Sequence, residues 1–428
     1  MGLDVDETLS PTLLEKGSLL GTILCSFPAA HEASEGLLER VLGTKRIERL
    51  TERVGDERVE QRDAETEAFQ ALPLVKKEAA PAGIKAPKVA SIMPDGGRLQ
   101  LCTQNEDSQT HWHEYKAVCL LGQESDVCEQ DPCPDLPEMF LERGRIETLT
   151  REIGKKAADV DEEKPSGSAT ASEIVSACVD AARSSPKKFE YQPPEVFSRD
   201  VLATRRNSKG FGKMLAARAW SLGMFASPRK AYVGDGQNWI WRVWERWFKP
   251  FGFVGILDFI HALTYVFAAA TAGRPREEGW KGYVRWITCL WQGEVAKVID
   301  ELAARQQELG LPTDADGATS VRRIVHEALS YLQNQSSKMN YPEYRRQGLP
   351  ITSSHIESTV KSLNQRIKGS EKFWSERGAE ALLQLKADTL SDTGQVPTYL
   401  LEAPAPDSTD QIGTLSGDPT RTNVASWE

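Results

Sequence analysis

Hydrophobic positions recur along this chain with two periods, and the places where one gives way to the other divide it. Over residues 1–75 the period is helical. Leu37, Leu38, Val41 and Leu42 form one stripe, Gly43 interrupts it, and Ile47, Leu50 and Val54 form the next. Thr44 stands where it can cap the second of these helices, whose other faces carry Lys45, Arg46, Arg49 and Arg53. A helix, a glycine turn and a basic helix predict a helix-turn-helix that contacts DNA through Arg46 and Arg49. Glu48 and Glu52 also allow the plainer reading of a solvated face laced with pairs four residues apart. A Lys/Ala/Pro linker follows at 76–88. Residues 89–126 switch to strand patterning, with an apolar run at 89–93, an alternating run at 98–102 and a third at 114–121. Asp95-Gly96-Gly97 between the first two predicts a hairpin turn. From about 127 to 187, within an insert expected to run from 127 to 228, the rhythm fades. The polar run at 155–172 has the composition of a mobile insert, and Arg205, Arg206, Lys209 and Lys213 make a basic stretch near its end.

The segment 229–262 carries the clearest pattern. Ala231-Tyr232-Val233 ends in Gly234-Asp235-Gly236, a helical run holds Trp241, Trp244 and Trp247, and a second apolar run ends in Leu257-Asp258 with His261 three residues on. This is a βαβ unit, and parallel strands put both acids at the same, C-terminal edge of a sheet, where such folds hold ligands. Helical periodicity then predicts a helical insertion at 263–350. Trp286, Leu290, Val298 and Leu302 make one stripe, Ile324, Ala328, Tyr331 and Leu332 another, and residues 341–350 read as a loop bearing Arg345 and Arg346. In the last helical segment, 351–403, Ile356, Val360, Leu363 and Ile367 form a buried stripe. Glu357 stands at the start of that helix, and Lys361, Arg366, Lys368 and Lys372 lie on its other faces. The tail at 404–428 has a disordered composition.

Charge refines this picture. The 428 residues sum to −10, which argues against a protein that only sheathes nucleic acid. Residues 338–372, however, hold seven Lys/Arg against three Glu (7 − 3 = +4), around Glu357. Seven scattered cysteines suit reduced thiols in a cytoplasmic protein, in agreement with an acidic opening that lacks a signal pattern. Asp258 and His261 interrupt the longest apolar stretch, so no membrane span is expected. The spacing of His111, His113, Cys128 and Cys133 fits no usual zinc motif.

Three strands, an excursion, a βαβ unit and a helix bearing Glu357 follow the element order of a ribonuclease-H-like core. The expected fold is therefore α/β, with that core interrupted by a helical insertion and preceded by an N-terminal helical domain. In such a core Asp95, Asp235 and Glu357 converge. Three carboxylates are hard oxygen ligands suited to Mg²⁺ or Mn²⁺, and such ions can drive phosphodiester displacement.

Four motifs in this order carry a resemblance. Asp95-Gly-Gly-Arg, Gly234-Asp235-Gly-Gln-Asn-Trp-Ile-Trp, Leu257-Asp258-Phe-Ile-His261 and His355-Ile-Glu357-Ser, trailed by Lys361-Ser-Leu-Asn-Gln-Arg366-Ile-Lys368 and Phe373-Trp374-Ser375, resemble bacterial insertion-sequence transposases of the ISKra type. These are distant relatives of Mutator-like transposases within the DDE superfamily. The resemblance implies an enzyme that cuts and rejoins double-stranded DNA at element ends and at a target, as a homo-oligomer in the bacterial nucleoid. It places Asp95, Asp235 and Glu357 on the catalytic and metal-holding acids, and Asp258 and His261 on a motif that shapes the site. Arg345, Arg346, Lys361, Arg366 and Lys368 are the expected phosphate contacts, with Arg205 and Arg206 second. Two other readings remain open: a transposase-derived DNA-binding protein that no longer cuts, and a structural helical protein whose acids serve turns and helix ends.

Overall fold

In the computed structural model, residues 10–38, 40–104, 110–153 and 192–393 are described. The run at 155–172 and the tail at 404–428 lie outside them. Serines start the first two helices: Ser10 accepts the Leu13 N–H before α1 (Pro11–Ile23), and Ser26 accepts the Ala29 N–H before α2 (Phe27–Leu37). Of the stripe expected at 37–42, Leu37 ends α2, and Leu38, Val41 and Leu42 are not helical. Ser34 Oγ accepts the Leu42 N–H at 3.2 Å and folds the chain back. Leu42 is thereby driven into the core with Leu20, Ile47 and Leu50, while Leu37 and Val41 are left exposed. Thr44 is not a cap either; it is the first residue of α3 (Thr44–Ala71), whose N-cap is Gly43. A short α4 (Leu74–Glu78) follows.

The expected hairpin at Asp95 is absent. One continuous strand, β1 (Val89–Leu101), runs through it, paired antiparallel with β2 (Trp112–Glu124) in unbroken register from Val89↔Gln123 to Gln100↔Trp112. Thirteen-residue strands with one apolar partner face outweigh a local turn preference, and the reversal falls between them. Pro94 is tolerated for a geometric reason. The Leu101 N–H goes to the His111 carbonyl on the β2 side, and the Cys102 N–H to the Trp374 carbonyl on the other. Alternation therefore aims the Pro94 nitrogen away from β2. On that side, pairing with β4 (Arg229–Gly234) ends at Ile92↔Tyr232, and pairing with β6 (Phe373–Trp374) begins only at Gln100↔Phe373. The missing donor lies in the gap and costs no ladder bond.

The run expected as a third strand at 114–121 is the middle of β2. The third strand is β3 (Glu195–Thr204), inside the segment expected to be an insert. Before it comes α5 (Arg143–Glu152), and after it α6 (Ser208–Ser221), capped by Asn207. Then comes the expected βαβ unit: β4, α7 (Asn238–Trp247) and β5 (Val254–Leu257). The sheet order is β3-β2-β1-β4-β5, with β6 beside β1. β2 runs antiparallel to both its neighbours, and β1, β4 and β5 are mutually parallel. The fold is mixed α/β.

The helical block comprises α8 (Phe259–Thr271), α9 (Arg276–Trp291), α10 (Val295–Leu309) and α11 (Val321–Gln335). The stripe from Trp286 to Leu302 is split between α9 and α10 by a turn. The expected loop at 341–350 opens as a helix, α12 (Tyr341–Arg346), held by a Glu343–Arg346 pair and by Tyr341 donating to the Leu257 carbonyl at 3.1 Å. Then follow α13 (Ser354–Ile367), which packs on β1, and α14 (Glu376–Thr389). α14 lies along α3. Arg58 pairs with Asp388 at 3.0 Å, Arg62 reaches Gln384 and Glu380, and a Cβ on Gly55 would come within 2.6 Å of Ala381. The N-terminal helix α3 therefore shares a helix interface with the last described helix. No helix among the described residues is long and apolar enough to cross a membrane.

Candidate active site

Strand register sets the acids level. β1 and β4 pair as 89↔229 through 92↔232, and β4 and β5 as 231↔254 through 234↔257. Carried to the strand tips, the first register puts Asp95 opposite Asp235, and the second puts Asp235 opposite Asp258. Three acids on three parallel strands thus occupy one row at the C-terminal edge of β4 and β5. The fourth acid comes from α13, which lies across β1 and β2. Tyr115 Oη donates to Asn364 Oδ1 at 2.9 Å, and Cys119 Sγ lies 2.9 Å from Thr359 Oγ1. Tyr115 and Cys119 oppose Gly97 and Met93 in the ladder, so α13 covers the face of the sheet that Asp95 shares with them. Glu357 is in the first turn of that helix.

The charges of this group act on one another. Asp95 is pushed up to about 6, first by burial and then by the charge of Asp235, although the Gly96 N–H donates to it at 2.6 Å. Glu357 is pushed up to about 7 by burial, then by Asp258 and Asp95, with His261 and Lys361 opposing. Burial works to lower His261, but Asp258, Asp235 and Glu357 together raise it to about 9. The histidine is the cation that the cluster itself supplies. Asp235 is turned aside: its carboxylate accepts the Gln237 backbone N–H at 2.9 Å and Gln237 Nε2 at 2.8 Å. Among the described residues no three His, Cys, Asp or Glu side chains are grouped to hold a metal ion. In kind, three oxygen donors fit a hard divalent cation, and two of them would lose their raised pKa beside one.

Asp258 and His261 shape this edge. The buried Asp258 caps α8 by accepting the His261 N–H at 2.9 Å, and its other oxygen accepts the Ser353 N–H and hydroxyl at the start of α13. Its carboxyl is held below the ordinary range because these bonds, chiefly from His261, outweigh burial. His261 Nδ1 sits 3.4 Å from Asp258 Oδ1. One carboxylate thus ties β5, α8 and the helix of Glu357 together. The helical block adds a clamp: Tyr331 donates to the Asp235 carbonyl at 2.7 Å, stacked on Tyr265 with centroids 3.8 Å apart, and Gln335 donates to the Gly236 carbonyl. Gly236 has φ of 102°, and a Cβ there would come within 2.5 Å of the Tyr331 ring. Ser353, Tyr331, Gln335 and Gln237 carried no sequence signal for these roles, since each depends on an element remote in the chain or on a turn.

The expected DNA contacts divide. Arg345 is fully buried, bonded to Asp131 and the Trp291 carbonyl and stacked 4.0 Å over the Trp291 ring. Arg366 is buried between the Phe27 and Trp374 rings and donates to the Gly21 carbonyl at 2.9 Å. Both side chains are buried inside the protein and not on its surface; the loop and helix-face readings missed the aromatic slots that receive them. Arg346 pairs with Glu343, Arg205 with Glu376, and Arg206 with Asp63. Lys361, Lys368 and Arg49 are exposed, Lys368 above Trp112, and Arg46 is half-buried. Of the His and Cys residues whose spacing fits no zinc motif, His111 contacts the Leu101 carbonyl, and Cys133 donates to the Asp135 carbonyl. Compared with protein-family models and with curated proteins, the chain matches none.

Proposed function

We propose that this chain is a metal-dependent DNA strand-transfer enzyme, a DDE transposase of the ISKra type with a ribonuclease-H-like core. The observation that carries the reading is the single row of Asp95, Asp235 and Asp258 on parallel strands, faced by Glu357 from α13. The β3-β2-β1-β4-β5 order, with β2 antiparallel to both neighbours, is the order such a core requires and supports the same conclusion. Asp95, Asp235 and Glu357 would hold Mg²⁺ or Mn²⁺. When bound, such ions lower the pKa of an attacking water or 3′-hydroxyl and take charge from the leaving 3′-oxygen as the phosphorus–oxygen bond changes hands. Asp235 would exchange its Gln237 bonds for the cation. Asp258 keeps Glu357 aimed, and His261 balances the acids in the absence of metal. Joining two element ends would use two or more copies of the chain.

A second reading, a DNA-binding relative that no longer cuts, is favoured by one observation: the acids do not stand grouped around a single point. The two separate in a nicking assay on duplex DNA taken from the borders of the encoding element. The enzyme reading predicts Mg²⁺-dependent single-strand nicks at the ends, lost in Asp235→Asn while the duplex is still bound. Binding without nicking in Mg²⁺ or Mn²⁺ would leave the second reading standing.

A further inference from the structure

One cation beside the site is not used by anything described above. Lys116 lies on β2 opposite Gly96, one residue past the Asp95 row, and opposite Thr204 of β3. Its residue is 9% exposed, and among the described residues no hydrogen bond or ion pair holds its ammonium. The ammonium sits 5.3 Å over the ring of Trp239. Glu114 acts on it only through space, and burial lowers its pKa. Trp239 is fixed in turn: Phe211 of α6 packs edge-on at 5.7 Å, and the indole N–H donates to Gln237 Oε1 at 2.7 Å. Gln237 Nε2 donates to Asp235 Oδ2 at 2.8 Å. A mostly buried lysine whose ammonium touches no counter-ion is costly to hold in one place, and an aromatic face replaces only part of its hydration. Here it is held at a defined place, two side chains away from the acid that would take the metal. The exposed Lys209, in the first turn of α6, continues positive charge outward from the same side.

We propose that Lys116, seated on Trp239, is a contact for a backbone phosphate of the DNA strand that enters the site. The inference rests on the DNA-processing reading above and adds to it a residue and a strand path on the α6–α7 face of the sheet. A phosphate there would supply the missing counter-charge, and the Gln237 bridge would place that phosphate in a fixed relation to Asp235. Sequence patterning hid Lys116, because it interrupts a strand as an ordinary outward-facing polar residue would.

Binding of a random-sequence duplex, followed by fluorescence anisotropy across a salt series, tests this. Lys116→Met keeps the stem against the indole and removes only the charge, so it is the variant that best preserves folding; Lys116→Gln is the second. Both are expected to bind about tenfold more weakly at low salt, with the slope of log affinity against log salt reduced by about one, the signature of a single lost phosphate contact. Lys116→Arg should restore both quantities. If the wild-type protein binds the duplex and the Met and Gln variants match it in affinity and slope, Lys116 is a structural anchor and the inference fails alone. If the wild-type protein binds no duplex, the DNA-processing reading fails with it.

Discussion

Glu357 shows most clearly what burying acids together does to a single residue. Its carboxyl is raised from the usual value of 4.5 to about 7, and Asp95 from 3.8 to about 6, with burial the first cause of each. Between those limits the unfolded chain has released its protons and the native chain has not. The native state then holds more protons, so stability falls as pH rises through the window and the penalty is absent at pH below about 4. His261, raised from 6.5 to about 9, acts in the same direction: its stabilisation is complete below 6.5 and lost as pH rises through 9. Glu357→Gln removes one of the clashing charges. At a pH of about 8 it should be more stable than the wild type by roughly 1–2 kcal/mol after allowance for partial exposure, with the difference closing toward pH 4. Denaturant titrations of both proteins at the two pH values decide it. A variant less stable at pH 8, or a gap that ignores pH, would mean that Glu357 is not held against its charge.

Among the elements, α13 is fixed at both ends by buried polar groups. At its start Asp258 holds Ser353; near its end Arg366 is gripped by Phe27 and Trp374 and by the Gly21 carbonyl. Arg366 therefore links the helix of Glu357 to the start of α2 and to α1. Truncating it empties an aromatic slot and removes its stem packing and its cation–π contacts, which together cost about 2–4 kcal/mol. Arg366→Ala is thus expected to lower stability by that amount in denaturant unfolding, while the folded fraction keeps its affinity for random duplex DNA. Wild-type stability with weakened DNA binding would restore Arg366 to the DNA surface. The periodicity of this helix was legible in sequence: Ile356, Leu363 and Ile367 are buried as the stripe requires. What Arg366 does was not, because an arginine on a helix face reads as solvated until its aromatic partners, over three hundred residues away for Phe27, are known.

For the whole molecule, the same contrast between local and remote determinants separates what could be read from what could not. The βαβ unit around Asp235 and Asp258 was legible because its strand runs, turn acids and helical period lie within about thirty residues. The path of β1 through Asp95 was not. Asp-Gly-Gly is a turn signal locally, and only antiparallel pairing with all of β2 turns it into a straight strand. β3 escaped notice for a similar reason, as its neighbour in the sheet is β2 and its sequence surroundings are polar. Once these strands are in place, their registers carried to the strand tips set Asp95, Asp235 and Asp258 in one row. The proposed function requires that Asp95, Asp235 and Glu357 serve one divalent cation site. Titration of the protein with Mn²⁺, with free ion followed by electron paramagnetic resonance, tests it most directly. The account predicts saturable uptake by the wild-type chain, weakened at least about tenfold by Asp235→Asn and likewise by Glu357→Gln. Equal uptake by all three proteins, or none by the wild type, would contradict it.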